Sequence, residues 1–169
     1  RGVARHDLAT HADASAVTSH SAQALTAAGS TLVTYAVGGS GWDLTSYAIG
    51  AGGTLTRTAA TQTSTTYGAE LSPDGTRLIA TDYGRGYGVA TYDAATLALR
   101  GTVTTGAYPD AVAWSPDGTR YAALTNTVGT GLPVQIFSAS TGAAVTRSTA
   151  AASASWSNPA HEASWSRDG

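Results

Sequence analysis

The stretch Trp114-Ser115-Pro116-Asp117-Gly118-Thr119-Arg120 recurs along the chain, and we call it the turn motif. It occurs 43 residues earlier as Leu71-Ser72-Pro73-Asp74-Gly75-Thr76-Arg77, and 51 residues later a shorter copy reads Trp165-Ser166-Arg167-Asp168-Gly169. A weaker copy, Leu25-Thr26-Ala27-Ala28-Gly29-Ser30, lies 46 residues before the second. A period of roughly 40–50 residues is typical of proteins built from repeated supersecondary units.

The residues of the motif favour a hairpin turn. Serine at the first position can bond the local backbone, proline presets φ, and glycine at the fourth position accepts a left-handed conformation. We therefore expect positive φ at Gly75 and Gly118. A large residue precedes each turn and should end an inner strand facing the core: Leu25, Leu71, Trp114 and Trp165. Another follows three residues after the glycine in three copies: Leu32, Leu78 and Tyr121.

Repeated hairpins need stacked neighbours to bury their faces. The spacing predicts an all-β fold, a β-propeller fragment of about three four-stranded antiparallel blades plus single strands from neighbouring blades. The blades are expected at about 22–60, 67–105 and 110–149, in one domain, with 160–169 beginning a further blade. Within the second and third blades, strands are expected at Arg77–Asp82, Gly88–Asp93 and Val134–Ser138, among others. Gly2 to Leu8 is expected to be a strand of a preceding blade. No sustained helical period is present, so we expect no helix longer than about three turns within 22–149.

Composition excludes several classes of protein. The chain has 169 residues, 42% of them hydrophobic and 12% charged, with a net charge of −2. That balance provides no basic surface for nucleic acid, and no apolar run reaches the roughly 18–20 residues of a membrane span. Cysteine is absent, which excludes disulfides and thiolate metal sites. All nine cationic residues are arginine, which excludes a catalytic lysine.

Ser-Pro-Asp-Gly-Thr-Arg after an apolar strand, together with Tyr92-Asp93-Ala94-Ala95-Thr96-Leu97, resembles the repeats of bacterial WD40-like propellers. These include YVTN/lactonase-type and TolB-type repeats and secreted propellers of actinobacteria. The resemblance covers about residues 22–169 and implies an extracellular or cell-surface location. The Gly-His and Trp-Asp marks of eukaryotic WD40 repeats are missing. Three blades do not close a ring, so we expect the remaining blades to come from a longer chain or from another copy.

The sequence contains no recognisable catalytic or cofactor signature. Gly84-Arg85-Gly86-Tyr87-Gly88 lacks the glycine spacing of a dinucleotide loop and leads into a strand. Gly39-Ser40-Gly41 lacks the frame of a nucleophile elbow. His11 and Asp13 could share a metal, but no third ligand stands at a suitable spacing, so a solvated loop is favoured. We therefore predict no catalytic residue, no cofactor and no metal.

The loops between second and third strands, and those between blades, are expected to share one face of the propeller. Aromatic and charged residues concentrate there, a composition that suits a binding surface. The predicted ligand-binding residues are Trp42, Asp82, Tyr83, Arg85, Tyr87, Tyr108 and Asp110, and the same loops also contain Asp43 and Tyr67. In the alternative interpretation, the aromatic rings cover blade edges and the aspartates brace turns.

Two functions follow from this sequence and its resemblance. The first is a non-enzymatic binding or scaffold module whose partner is a protein or a glycan. The alternative is part of a lactonase- or hydrolase-type propeller enzyme whose active site lies in other blades. The sequence does not identify the ligand or the partner.

Overall fold

A computed structural model describes residues 2–6, 13–17, 22–38, 41–63, 66–84, 86–126, 134–147 and 163–168. Side chains are described within 25–35, 44–63, 66–84, 86–125, 134–146 and 163–168. Over these ranges the regular structure is β-strand apart from one 3₁₀ turn at Ala51–Gly53. The expected absence of long helices within 22–149 is confirmed for the residues that are described.

The strands, in chain order, are β1 (Gly2–His6), β2 (Asp13–Val17), β3 (Ala22–Ala28), β4 (Thr31–Gly38), β5 (Gly41–Ile49), β6 (Leu55–Thr63), β7 (Ala69–Leu71), β8 (Arg77–Asp82), β9 (Gly88–Asp93), β10 (Leu99–Thr104), β11 (Tyr108–Trp114), β12 (Arg120–Asn126), β13 (Val134–Ser138) and β14 (Ala144–Arg147). Each strand from β3 to β14 pairs antiparallel with its sequence neighbour inside one of three four-stranded sheets. These sheets are the first blade (β3–β6), the second (β7–β10) and the third (β11–β14). The bounds predicted for β8, β9 and β13 match those observed.

The blades pack face against face, and the core lies between them. Val33 and Leu44 of the first blade join Leu78 of the second in one buried cluster. Ile79, on the opposite face of the second blade, joins Phe137 of the third blade in another. Both faces of the middle sheet are therefore buried at β8 and β9, which explains why these two strands show little alternation of apolar and polar residues.

The turn motif forms the predicted hairpin turn. Gly75 and Gly118 have φ of 70° and 68°, as expected. In the second blade the Ser72 hydroxyl donates to the Asp74 carboxylate at 2.5 Å, and the Thr76 amide donates to the same carboxylate at 3.0 Å. The third blade repeats these bonds with equivalent residues. The motif is thus a small hydrogen-bonded unit that reverses the chain between inner and second strands.

The first blade departs from the prediction at Leu25. Its turn has only two residues, because Ala28 pairs directly with Thr31 across Gly29-Ser30. Without the proline and aspartate of the full motif, the turn shortens and Ala27 takes the position opposite Leu32. Leu25 is 52% exposed and lies three residues before the end of β3, so its assignment as the inward-facing last residue of the inner strand is wrong.

The two ends of the chain also differ in detail from the expectation. Gly2–His6 is a strand, as expected, but it pairs with Asp13–Val17 in a separate two-stranded sheet. That second strand lies partly in the stretch expected to be loop. Within 163–168 there is a turn but no strand. The Trp165 indole nevertheless donates to the carbonyl of Ala113 at 3.0 Å, so the last copy of the motif lies against the inner strand of the third blade.

Candidate binding surface

Four tyrosine side chains meet at the end of the blades opposite the turn motif, and we call them the tyrosine surface: Tyr67, Tyr83, Tyr87 and Tyr108. The ring centroid of Tyr83 lies 4.8 Å from that of Tyr67, 5.5 Å from Tyr108 and 6.1 Å from Tyr87. The rings of Tyr87 and Tyr108 are 4.3 Å apart. Tilted and edge-to-face rings at such distances attract one another. The four side chains therefore form one continuous aromatic patch.

The patch is assembled from three connections that the blade topology brings together. Tyr67 lies in the connection between the first and second blades, where its amide donates to the Thr81 hydroxyl at 2.7 Å. Tyr83 and Tyr87 flank the loop between β8 and β9, and Tyr108 begins β11 in the third blade. Antiparallel neighbours place the end of β8 and the starts of β9 and β11 at one end of the sheets.

Tyr87 is held in an unusual backbone conformation. Its φ is 57°, in the left-handed region that side-chain-bearing residues seldom adopt. The carbonyl of Tyr87 accepts from the Thr105 amide at 3.0 Å and lies 2.8 Å from the Thr105 hydroxyl. These contacts stabilise a geometry that costs free energy by itself. The Tyr87 ring stays 39% exposed at the outer edge of the patch.

A buried carboxylate lies next to the aromatic rings. Asp110 is only 6% exposed, and its Oδ1 accepts a hydrogen bond from the Tyr83 hydroxyl at 2.8 Å. Its Oδ2 is buried without a hydrogen-bond partner. The register of β11 shifts between Pro109 and Ala111, so Asp110 is the bulged residue. A buried carboxylate oxygen without a donor is costly, and such a group calls for an explanation.

The hydroxyl groups of Tyr83 and Tyr87 have raised pKa values. Burial raises the pKa of Tyr83, and its hydrogen bond to Asp110 raises it further. The pKa of Tyr87 is raised chiefly by its hydrogen bond with Tyr108, whose hydroxyl oxygen lies 3.3 Å away. Tyr67, Tyr87 and Tyr108 are each about 40% exposed. The surface therefore presents partly exposed phenol rings next to a buried carboxylate.

The structure brings together Tyr83, Tyr87, Tyr108 and Asp110 from the predicted set. Asp82 is buried instead, and its carboxylate accepts from the Gly84 amide at 3.0 Å, so it braces the turn. Trp42 and Asp43 lie in β5, but their side chains fall outside the described residues, as does the whole of Arg85.

Tyr67 belongs to the patch although the predicted set omitted it. The sequence carried a usable signal, since Tyr67 and Tyr108 each stand at the entrance to an inner strand. The binding of a ligand by these residues stays a prediction.

No family model and no curated protein matches this sequence. Among solved structures, the chain is similar to hydrazine synthase of Kuenenia stuttgartiensis, with a TM-score of 0.68 and 19% identity over 86% of this chain and 42% of that one. It is also similar to a chain of the mitotic checkpoint complex, with a TM-score of 0.67 and 19% identity over 88% of this chain and 44% of that one. The chain thus spans less than half the length of either.

These likenesses, together with the three stacked sheets, establish the class of fold. The three described sheets are blades of a β-propeller, and nearly all of the described regular structure is antiparallel strand. When fewer than a quarter of the residues are identical, structural similarity supports a shared fold but does not assign an activity. The described residues contain no helix long and apolar enough to cross a membrane.

Proposed function

We propose that this chain is a non-enzymatic WD40-like propeller module that binds a partner protein through the tyrosine surface. The observation that carries this proposal is the buried, unpartnered Oδ2 of Asp110 beside exposed tyrosine rings. Tyrosine is enriched among the residues that anchor protein interfaces, because its ring buries a large area with little loss of side-chain freedom. The strained backbone of Tyr87 holds one such ring at the edge of the patch.

The charge of the surface indicates the kind of partner. Asp110 contributes a carboxylate, and none of the described arginines forms a hydrogen bond or ion pair with it. A positively charged side chain of a partner would gain from the carboxylate and from the faces of the neighbouring rings. We therefore propose that the partner presents an arginine or lysine to this patch. A glycan stacked on the same rings is the competing ligand.

Site-specific photo-crosslinking tests the proposal. A benzoylphenylalanine placed at position 87 should yield a discrete protein adduct with extracts and surface fractions of the producing cells. Excess wild-type chain should suppress the adduct, whereas a chain carrying Tyr87→Ala and Tyr108→Ala should not. The matched control places the same probe at Leu99, which is similarly exposed on β10 and remote from the patch.

The outcomes separate the alternatives. Loss of competition by the chain carrying Tyr87→Ala and Tyr108→Ala, with an adduct at position 87 and none at position 99, supports a protein partner. The same adducts at positions 87 and 99, or none at 87, would overturn the proposal. A glycan adduct at position 87 would overturn the protein partner and show that the surface binds a glycan.

We also propose that the chain belongs with bacterial YVTN- or TolB-type propellers and functions outside the cell or at its surface. The Ser-Pro-Asp-Gly-Thr-Arg motif supports this assignment. Further blades, from a longer chain or another copy, would complete the ring. The lactonase- or hydrolase-type alternative requires histidine, and the side chains of all four histidines lie outside the described residues. Immunodetection of the protein in surface and cytoplasmic fractions tests the location, and recovery in the cytoplasmic fraction alone would contradict it.

A further inference from the structure

A cleft of about 440 Å³ opens between the second and third blades, at the end that carries the turn motifs. One wall is the stretch 100–103 of β10, and the other is the stretch 139–142, which leads from β13 into β14. The charged residues that line it are Arg77 and Arg100, and no carboxylate is among the lining residues. Its volume lies within the range of roughly 300–1,000 Å³ that small-molecule sites occupy. It shares no residue with the tyrosine surface.

Arg77 is fixed in place at the inner end of the cleft. Its guanidinium donates to the carbonyls of Ala139 at 3.0 Å and Gly118 at 3.3 Å, both in the third blade. Its Cζ lies 5.0 Å from the ring centroid of Trp114, a distance at which a cation–π attraction operates. A guanidinium has five N–H donors. The contacts that orient Arg77 therefore leave N–H donors for a ligand. Because the side chain is already ordered, it loses little further conformational entropy when a ligand binds.

Arg100 adds a second guanidinium at the solvent end. One of its nitrogens lies 2.6 Å from Oδ2 of Asp93, and the side chain is otherwise largely exposed. Asp93 is also engaged by its own turn, since its Oδ1 accepts from the Thr96 amide at 3.0 Å. Exposed hydroxyl donors complete the lining: Thr102, Ser140 and Thr141. The cleft therefore carries hydrogen-bond donors from both walls.

Two glycines line the cleft. A Cβ on Gly142, whose φ is 70°, would come within 3.1 Å of Val103 Cγ1, so the two walls already touch there. A Cβ on Gly101 would meet nothing within 4 Å. Space next to Gly101 is therefore available to a ligand, or to a larger side chain introduced there.

We propose that this cleft binds a small polar ligand through an oxyanion, namely a carboxylate, sulfate or phosphate group. Guanidinium groups and hydroxyls are the donors that such oxygens prefer, and a guanidinium can present two parallel N–H groups to one anion. The proposal is independent of the tyrosine surface, since the two share no residue and lie at opposite ends of the blades.

Calorimetric titration of the whole chain tests the site, with sodium glucuronate, sodium sulfate and inorganic phosphate as probes at constant ionic strength. At least one probe should bind saturably, and the one that binds most tightly identifies the anion. Arg100→Gln should weaken that binding about tenfold, as expected for the loss of a charged hydrogen bond. Gly101→Val should abolish it by filling the cleft. The matched control is Arg57→Gln, which removes an equal charge from an exposed position on β6 of the first blade.

Tryptophan fluorescence provides a second measurement, because Trp114 stacks under Arg77. Saturable quenching that follows the calorimetric affinity supports the site. The proposal is overturned if none of the three anions binds the wild-type chain. Equal weakening by Arg100→Gln and Arg57→Gln would also overturn it, since the attraction would then be a general effect of charge. Unchanged binding in Gly101→Val would place the anion elsewhere.

Discussion

At the scale of single residues, the two turn glycines share a positive φ but differ in what surrounds them. Gly75 and Gly118 have nearly the same positive φ. A Cβ on Gly118 would meet Pro73 at an ordinary 3.6 Å. A Cβ on Gly75 would come 2.7 Å from the carbonyl oxygen of Ala28 in the first blade, a distance that real side chains do not reach. Gly75 is thus required both by the turn and by the approach of the neighbouring blade.

This difference predicts unequal losses of stability. Gly118→Val should lower the free energy of unfolding by more than about 1 kcal/mol, because a β-branched residue fits the left-handed region poorly. Gly75→Val should cost clearly more, because the clash with Ala28 adds to the same backbone strain. Urea unfolding of both variants measures the two losses. Equal values would show that contact with the first blade contributes nothing.

At the scale of the hairpin element, the turn aspartates link stability to pH. The Ser72 hydroxyl, with further hydrogen bonds from Thr76, lowers the pKa of Asp74 from 3.8 to about 2. Asp117 has the same shift, caused first by Ser115 and then by Thr119. A depressed carboxyl pKa means that the unfolded chain binds more protons in this range of pH. The resulting stabilisation is complete above the unfolded pKa near 4 and is lost as pH falls towards 2.

Removing both carboxylates should flatten that part of the stability curve. The double variant Asp74→Asn, Asp117→Asn should be less stable than wild type at pH 6, yet lose less of its melting temperature between pH 4 and pH 2. Thermal unfolding followed by circular dichroism across this range measures the slope. Parallel curves for variant and wild type would mean that the turn carboxylates do not contribute to the acid dependence.

At the scale of the whole molecule, consecutive blades are tied through their inner strands. The Leu71 amide donates to the Thr26 hydroxyl of the first blade at 3.1 Å. The Trp114 amide donates to the Glu70 carboxylate of the second blade at 2.7 Å, and its indole donates to the Glu70 carbonyl at 3.1 Å. Burial raises the pKa of Glu70, although the bond from Trp114 partly opposes this shift. In both cases, a side chain of one inner strand accepts a hydrogen bond from a backbone amide of the inner strand in the next blade.

Loss of one tie should therefore loosen two blades together. Trp114→Phe removes the indole donor and weakens the contact with Arg77, and it should lower the free energy of unfolding by about 1–2 kcal/mol. Hydrogen exchange should accelerate in both β7 and β11. Trp165→Phe, which removes the equivalent bond to Ala113, is the matched control and should cost less, because Trp165 is less buried. Faster exchange confined to β11 would contradict a tie between blades.

Local chemistry accounts for what could be predicted from the chain alone. The hairpins follow from serine, proline, aspartate and glycine at fixed offsets, because a turn depends on a few adjacent residues. The positive φ of Gly75 and Gly118 and the bounds of β8 and β9 could therefore be read directly from the residues. The loop chemistry also indicated Tyr83, Tyr87 and Tyr108, since those residues stand at strand ends that share one face.

The packing between blades determined the rest, because it joins residues far apart in the chain. The bond between Tyr83 and Asp110 spans 27 residues, and the unpartnered oxygen of Asp110 arises from a bulge that no local pattern marks. In the first blade the two-residue turn pairs Ala27 instead of Leu25 with Leu32, and Leu25 is exposed. The arginine-lined cleft exists only where two sheets meet. Turn and strand are local properties, whereas contacts, burial and sites depend on which blades become neighbours.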